Sequence, residues 1–280
     1  GRVIDLTGGV ADLAARRVRF IGSADDRIRE DYLRILRFYR FSAEYAEGPL
    51  DAIGVAATER LKDGLGRLSS ERIWSELRKL LRAPRAGEVA AIMEQHGILA
   101  AVLGGETDAR TLARLIEIES ATGSDPDVMA RLAALIPQHR TPSELITRLR
   151  LSNTEAEELE VAMAAAAAAG GIAPGAPGTA AKGAIYALGQ ESFLRAQHVA
   201  WARSNASVTD PAWRARTALA ASWTPPRMPF TGVDVLALGI APGPRVGAIL
   251  SGFEDWWIAA DFPSDPALLQ RTLIEHAKRG

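Results

Sequence analysis

From residue 24 onward apolar side chains recur at steps of three and four, and that spacing is what most restricts the fold. Ile28, Tyr32, Ile35 and Tyr39 follow at steps of four, three and four, which lines them up along one stripe of a helix. Ser23, Asp25 and Asp26 offer capping groups just ahead of them. Residues 50–61 and 71–81 continue the pattern, the second with Ser69 or Ser70 as its cap and Ile73, Leu77 and Leu80 on its apolar side. A shorter helix over 88–96 is stopped by Gly97. Further helices fill 105–150, with breaks at 123–126 and 138–142, and then 154–169, 179–187 and 190–204. The alanine run 164–169 is low in complexity but strongly helix-forming, so packing is expected for it. GGIAPGAP (170–177), with five glycines and prolines, is the clearest linker. Residues 223–230 read as extended, and 231–250 as helix, Gly/Pro turn and helix. Only RVID (2–5) and RVRFIG (17–22), around a Gly-rich turn, read as strands. The expected fold is mostly α.

Composition narrows the functional classes. A chain of 280 residues, 48% of them hydrophobic, can bury a sizeable core and form two or three subdomains. A net charge of −1 gives no global field toward nucleic acid, so such binding has to come from local patches. The absence of cysteine excludes disulfides, thiolate metal sites and cysteine nucleophiles, and fits a reducing cytoplasm. No run of about 18 apolar residues occurs, and the start lacks a signal peptide's order of basic, apolar and small residues. A soluble, cytoplasmic protein is expected. The opening GRVIDLTGGVADL, without Met or cap, reads as mid-domain, as in a fragment or a chain whose earlier residues are missing.

REDYLRILRFYRF (29–41) sets an acid pair and four arginines among leucine, isoleucine and aromatics. On a helix, Glu30 and Arg34 stand four apart and Asp31 and Arg34 three apart, so both acids can reach the guanidinium. Ile28, Ile35 and Tyr39 take the opposite side. Such a cluster would hold the arginine rigid, with spare donors beside a carboxylate acceptor, a pairing suited to the hydrogen-bonding edge of a base. The alternative is an ordinary surface salt bridge, which contributes little.

Context adds to that motif. DLTGGVADL (5–13) stands upstream; ERIWSEL (71–77) and IMEQHGIL (92–99) follow downstream. In this order and spacing the set resembles the bacterial tRNA nucleotidyltransferase (CCA-adding enzyme) and poly(A) polymerase family. That family's pattern runs D-P-F-G-G-x-x-D-L, R-x-x-E-D-x-L-R-x-L-R-x-x-R-F, S-x-E-R-I-x-x-E-L, then a helix ending in G-x-L. Residues 27–41 and 69–77 carry the second and third elements, and 228–250 also looks like the end of such proteins. The resemblance implies a multi-helical neck, body and tail after a short β remnant of a nucleotidyltransferase head: 1–23 head remnant, 24–100 neck, 101–222 body, 223–280 RNA-binding tail.

The resemblance also implies roles. Asp31 and Arg34 would read the Watson–Crick edge of CTP or ATP while Glu30 holds the arginine, and Arg37, on the same stripe, would contact the nucleotide. Arg40 would face the RNA. Asp5, Gly8, Gly9 and Asp12 would form a flexible loop that helps switch the selected base. Here the sequence departs from the family, with Leu6-Thr7 where Pro-Phe is usual, and a plain Gly-Gly hairpin is the alternative. Glu71, Arg72 and Glu76 would brace the template helix. The implied function is addition of C, C and A to tRNA 3′ ends from CTP and ATP. The alternatives are an ATP-using poly(A) polymerase and a non-catalytic helical RNA-binding protein. Mg²⁺ would be held by head carboxylates expected upstream of residue 1, so no catalytic or metal residue is assigned and the chain alone is expected to be inactive. Partners would be a tRNA acceptor stem or other RNA 3′ end and a nucleoside triphosphate, with no membrane.

Other candidates read differently. The triplet Asp-Pro-Asp at 125–127, with a helical pattern after it, reads as a helix cap at Asp125 rather than a metal site. His96, His139, His198 and His276 are far apart and read as surface or capping residues. LGIAPGPRVGAIL (238–250) joins two helices through a turn with Gly239, Gly243 and Gly247, and Arg245 opens the second. It resembles a helix-hairpin-helix, with backbone N–H groups open to a phosphate; a tight connection is the alternative. Phe253, Trp256 and Trp257 read as core.

Overall fold

The computed structural model describes residues 4–167, 171–204 and 206–279. Their elements, in order, are α1 (Gly9–Ala14), α2 (Ala24–Glu30), α3 (Leu33–Tyr45), α4 (Ala52–Leu61), a 3₁₀ turn (Lys62–Arg67), α5 (Ser70–Arg82), α6 (Ala86–Gln95), α7 (Ile98–Leu103), α8 (Ala109–Thr122), α9 (Val128–Ala134), α10 (Pro142–Leu149) and α11 (Asn153–Ala167). Then come α12 (Gly178–Leu188), α13 (Gln190–Arg203), α14 (Pro211–Ser222), α15 (Gly232–Ala237), α16 (Pro244–Ala259) and α17 (Pro266–Arg279). Short polar side chains start many of these helices by accepting orphan N–H groups. Ser23 takes Asp26 N at 3.3 Å for α2, and Ser69 takes Arg72 N at 3.4 Å for α5. At α9 the cap is Asp127, which accepts from Met129 and Ala130 N at 2.9 Å each, and not Asp125 as the sequence suggested. Asp125 precedes a proline and is biased away from helical geometry, so the helix starts past Pro126.

Two compact units divide the chain. One takes the residues up to Ala167 together with His198–Thr209, the other the residues between these and Asp210–Gly280. In the first, α3 packs on α5 and α6, α2 on α4, and α9 on α8 and α11. Ile28, Ile35, Leu36 and Tyr39 meet Leu77, Leu80 and Leu81 in its core, all buried. The Tyr39 hydroxyl bonds Thr58 Oγ1 at 2.8 Å, and burial pushes it up to about 12. The ion pair Glu119–Arg131, at 2.6 Å, is sealed in this unit, and Arg131 also donates to the Leu81 carbonyl at 2.5 Å. Burial pushes the Glu119 carboxyl up even though Arg131 opposes it. In the second unit Phe253 and Trp257 are buried beside Val235, Ile249 and Leu273, with Trp256 packed on that cluster, so the core reading of these aromatics holds.

The fold is mostly α as expected, but the strand pair is not formed: no strand occurs among the described residues, and residues 2–3 of the first run lie outside them. The cause is local. Asp5 gathers the N–H groups of Thr7, Gly9 and Val10 at 3.1, 2.9 and 2.8 Å, which starts the short helix α1 where a hairpin turn was expected. Residues 164–167 of the alanine run belong to α11, while 168–169 and Gly170 lie outside the described residues. His198 also departs from expectation. It is buried, its Nε2 has no hydrogen-bond partner among the described residues, and burial pushes its imidazole down to about 4. Among the described residues no helix is long and apolar enough to cross a membrane.

Candidate functional site

The charged motif does not lie on one continuous helix. α2 ends at Glu30, Asp31 is extended (φ −156°, ψ 107°), and Tyr32 starts α3. Asp31 makes the break itself: its Oδ1 accepts from Leu33 N at 3.1 Å, the short-range bond by which Asp competes with helical pairing. The two acids therefore part. Glu30 accepts from Arg34 Nη1 at 2.6 Å and from Arg27 Nη1 at 2.9 Å. The Arg34 hydrogen bond holds the Glu30 carboxyl below the usual carboxylate range. Asp31 does not pair with Arg34, contrary to the single-helix expectation; Arg72 Nη2, from α5, bridges both its oxygens at 3.0 and 2.9 Å.

Arg34 Nη1 also donates to the Arg27 carbonyl at 3.0 Å. All its hydrogen bonds among the described residues pass through that one nitrogen, which leaves Nε and Nη2 uncommitted. The side chain borders a cleft of about 300 Å³ lined by residues 18–21, Arg27, Arg34, Arg37, Phe38 and Phe41. Four arginines (19, 27, 34 and 37) face it, against a floor where Phe20 stacks on Phe38 at 5.3 Å. A cationic, half-apolar hollow of this size suits a planar ring carrying negative charge. Arg19 and Arg27 were not singled out from sequence. Arg27 opens the quoted pattern three residues before Glu30 and could have been found there; Arg19 carries no local signal.

α5 buttresses α3 through a buried acid. Glu76 accepts from Arg40 Nε at 2.6 Å, lies 3.6 Å from Arg37 Nε and 3.9 Å from Lys79. Arg40 also bonds Glu44 at 2.9 Å and lies over the Phe41 ring at 4.0 Å. Its side chain is 13% exposed. Arg40 is thus committed to the helix pair, where the sequence reading set it facing RNA: a buried carboxylate one helix away claims it. Arg37, exposed, stays on the cleft wall. Glu71 pairs with Arg150 at 2.7 Å, at the end of α10, and makes no ion pair with the motif helices among the described residues.

At the other wall, Asp12 binds Arg17 Nε at 2.8 Å and Arg19 Nε at 2.7 Å. Arg19 Nη2 also reaches the Thr7 carbonyl at 3.2 Å. Gly8 sits at φ 78°, the left-handed conformation that precedes α1. Asp5, Gly8, Gly9 and Asp12 therefore form one capped turn and helix, tied to the cleft through Arg19. In the second unit, Gly243 (φ 155°) precedes α16, and Gly247 lies exposed within that helix. Exposed Arg245 donates to the Ala277 carbonyl at 3.2 Å, in the last turn of α17. It caps a helix end as well as flanking the turn.

Comparison with known proteins adds to this geometry. A family profile described as "Probable RNA and SrmB-binding site of polymerase A" matches residues 55–108, which run from α4 to the start of α8. The CCA tRNA nucleotidyltransferase 1, mitochondrial, of Danio rerio is 38% identical over 162 residues, 55% of this chain and 36% of that protein. The CCA-adding enzyme of Levilactobacillus brevis is 25% identical over 96% of this chain and 66% of its own length. The chain thus spans little more than a third of the zebrafish relative and about two thirds of the bacterial one. Among solved structures, the Bacillus stearothermophilus CCA-adding enzyme in complex with CTP superposes with a TM-score of 0.72 at 21% identity, covering 99% of this chain and 69% of that one. The Thermotoga maritima CCA-adding enzyme complexed with tRNA gives 0.65 at 16% identity, over 97% of this chain and 67% of that one. At these identities the superpositions establish a shared fold.

Proposed function

We propose that this chain works as the CCA-adding enzymes and poly(A) polymerases do, with the cleft beside Arg34 reading the base of an incoming nucleotide during extension of a tRNA 3′ end. Cytosine and adenine share one edge pattern: an exocyclic amino donor beside an unprotonated ring nitrogen. An arginine donor with a carboxylate acceptor complements both, and mismatches uracil and guanine, which present a carbonyl beside an N–H. Arg34 supplies the donor, Glu30 fixes it, and Asp31 supplies the acceptor. A carboxylate offers about four lone-pair sites, so Asp31 can accept an amino group while Arg72 stays bound. Arg37, with Arg19 and Arg27, faces the triphosphate. Residues 24–100, 101–222 and 223–280 act as neck, body and tail, and the turn with Gly243, Arg245 and Gly247 contacts the RNA backbone. The observation that carries this reading is the Glu30–Arg34 contact at 2.6 Å on the cleft wall.

Phosphoryl transfer in such an enzyme uses Mg²⁺. The described residues do not fit that ion. Among the described residues no three His, Asp or Glu groups lie close enough to hold a metal, and Asp12 and Glu30 beside the cleft are each bound by two arginines. No step of the transfer is assigned to them. The lack of cysteine fits a reducing compartment such as the cytoplasm, and the setting named for the zebrafish relative, the mitochondrion, is the alternative.

The test is to incubate the full-length protein with Mg²⁺, a tRNA lacking its CCA end and each nucleotide separately. Two C from CTP alone, one further A once ATP is supplied as well, and U and G refused, is the expected result; Arg34→Ala is expected to lose the refusal. An Arg34→Ala protein that still adds only C and A in order sinks the templating role. The poly(A) polymerase reading draws on the profile's description of polymerase A, and extension by ATP alone into a long tail would select it.

A further inference from the structure

Tyr32 stands at the point where α2 gives way to α3, and its ring lies against Gly64 in the 3₁₀ turn. A Cβ placed on Gly64 would stand 1.9 Å from ring Cδ1 and Cε1 and 2.5 Å from Cγ. Because Cγ lies on the χ2 axis, turning the ring about that axis cannot relieve the overlap; the side chain has to leave its seat about χ1 or the backbone has to shift. Gly64 is not among the glycines with positive φ, so its backbone does not demand glycine. It is buried, and the space left by its missing side chain is filled by the ring. Arg67, from the same turn, holds its guanidinium 5.3 Å from the ring centroid.

We infer that Gly64 is a positioning residue for base recognition: it seats Tyr32, and the seated ring fixes the break that sends Asp31 toward Arg72 and leaves Arg34 on the cleft wall. This rests on the base-reading role proposed above. Tyr32 is bonded directly to Asp31 and stands two residues from Arg34, and Ile35 N bonds its carbonyl at 3.1 Å. Where the crowding pushes the Tyr32 backbone as well as its ring, both recognition groups shift together. Misplacement of about 1 Å at a reacting or reading group can cost on the order of 100-fold. The 3₁₀ turn itself touches no part of the cleft.

The test uses the full-length protein with Gly64→Ala, Tyr32→Ala, Tyr32→Phe and the double variant Gly64→Ala/Tyr32→Ala, with Arg34→Ala as reference. The readouts are KM for CTP, the ratio of C or A to U or G incorporation, and the melting temperature. Gly64→Ala is expected to raise KM and misincorporation tenfold or more. Tyr32→Phe, which keeps the ring, stays within twofold of the parent. The double variant should be no worse than Tyr32→Ala alone, since the added methyl then has nothing to displace. A folded Gly64→Ala with unchanged KM and fidelity overturns the inference, as do losses that multiply in the double variant. If Gly64→Ala does not fold, Tyr32→Ala decides: unchanged discrimination there overturns it, and lost discrimination at near-parental melting temperature supports it. Should Arg34→Ala lose discrimination while Gly64→Ala and Tyr32→Ala keep it, only this positioning role fails. Should Arg34→Ala itself keep discrimination, base reading fails and takes this role with it.

Discussion

Two arginine–carboxylate pairs in the same unit have the same 2.6 Å contact and opposite uses. In Glu119–Arg131 the side chains are 3% and 5% exposed, and the guanidinium spends its donors on Glu119 and the Leu81 carbonyl. In Glu30–Arg34 they are 50% and 30% exposed, and one nitrogen of the arginine makes every bond. The first pair is saturated and closed, so it can only serve the fold. The second is anchored but unsaturated, so it can serve a ligand. Charge spacing in the sequence does not separate these cases; the number of donors left over after folding does.

The largest effect should come from unbalancing the closed pair. Arg131→Met strands a buried carboxylate, and a loss of about 3–5 kcal/mol is expected in denaturant unfolding. Adding Glu119→Gln should return part of it, since the stranded charge is removed. A loss below about 1 kcal/mol would show the pair to be no more consequential than a surface contact.

Acid sharpens the same contrast. His198, held near 4 when folded against about 6.5 for a free imidazole, takes up a proton first in the unfolded chain. Its contribution is therefore whole above about 6.5 and drains away as the pH falls toward 4, by roughly 1.4 kcal/mol per pH unit. Unfolding free energies at pH 7 and pH 5 should show this slope, and His198→Phe should flatten it. The open pair behaves otherwise: Arg34→Ala is expected to leave the melting temperature almost unchanged while nucleotide discrimination collapses. A drop in stability comparable to that of Arg131→Met would erase the distinction. The smallest effect is expected at Arg245→Glu, a weakening of tRNA binding at low salt worth one phosphate contact, with a shallower salt slope. Unchanged affinity would remove that turn from the RNA surface.

The sequence was most legible where the signals are short-range. Periodicity placed α4–α6 and α11–α13 to within a few residues, it ran α2 and α3 together as one helix, and the motif 27–41 pointed to the cleft. It was least legible where a distant residue decides. The spacing in REDYLR carries only a local sign of the break, an Asp able to accept from Leu33 N, while Arg72 and Gly64 help hold it from over 30 positions away. Arg40 looked as available as Arg37 until Glu76 was placed beneath it. The reading of 4–5 and 17–22 as strands failed for a local reason that β propensity misses: one aspartate, Asp5, capping three amides. α7, α14 and α17 were passed over.

The seat beneath Tyr32 bears on any attempt at grafting. A recognition cassette cut as residues 27–41 from one homologue and pasted into another would arrive without the floor it was shaped on. Swaps that carry 62–76 along with it should keep their nucleotide preference, and swaps of the cassette alone should lose it even where every base-facing letter is identical.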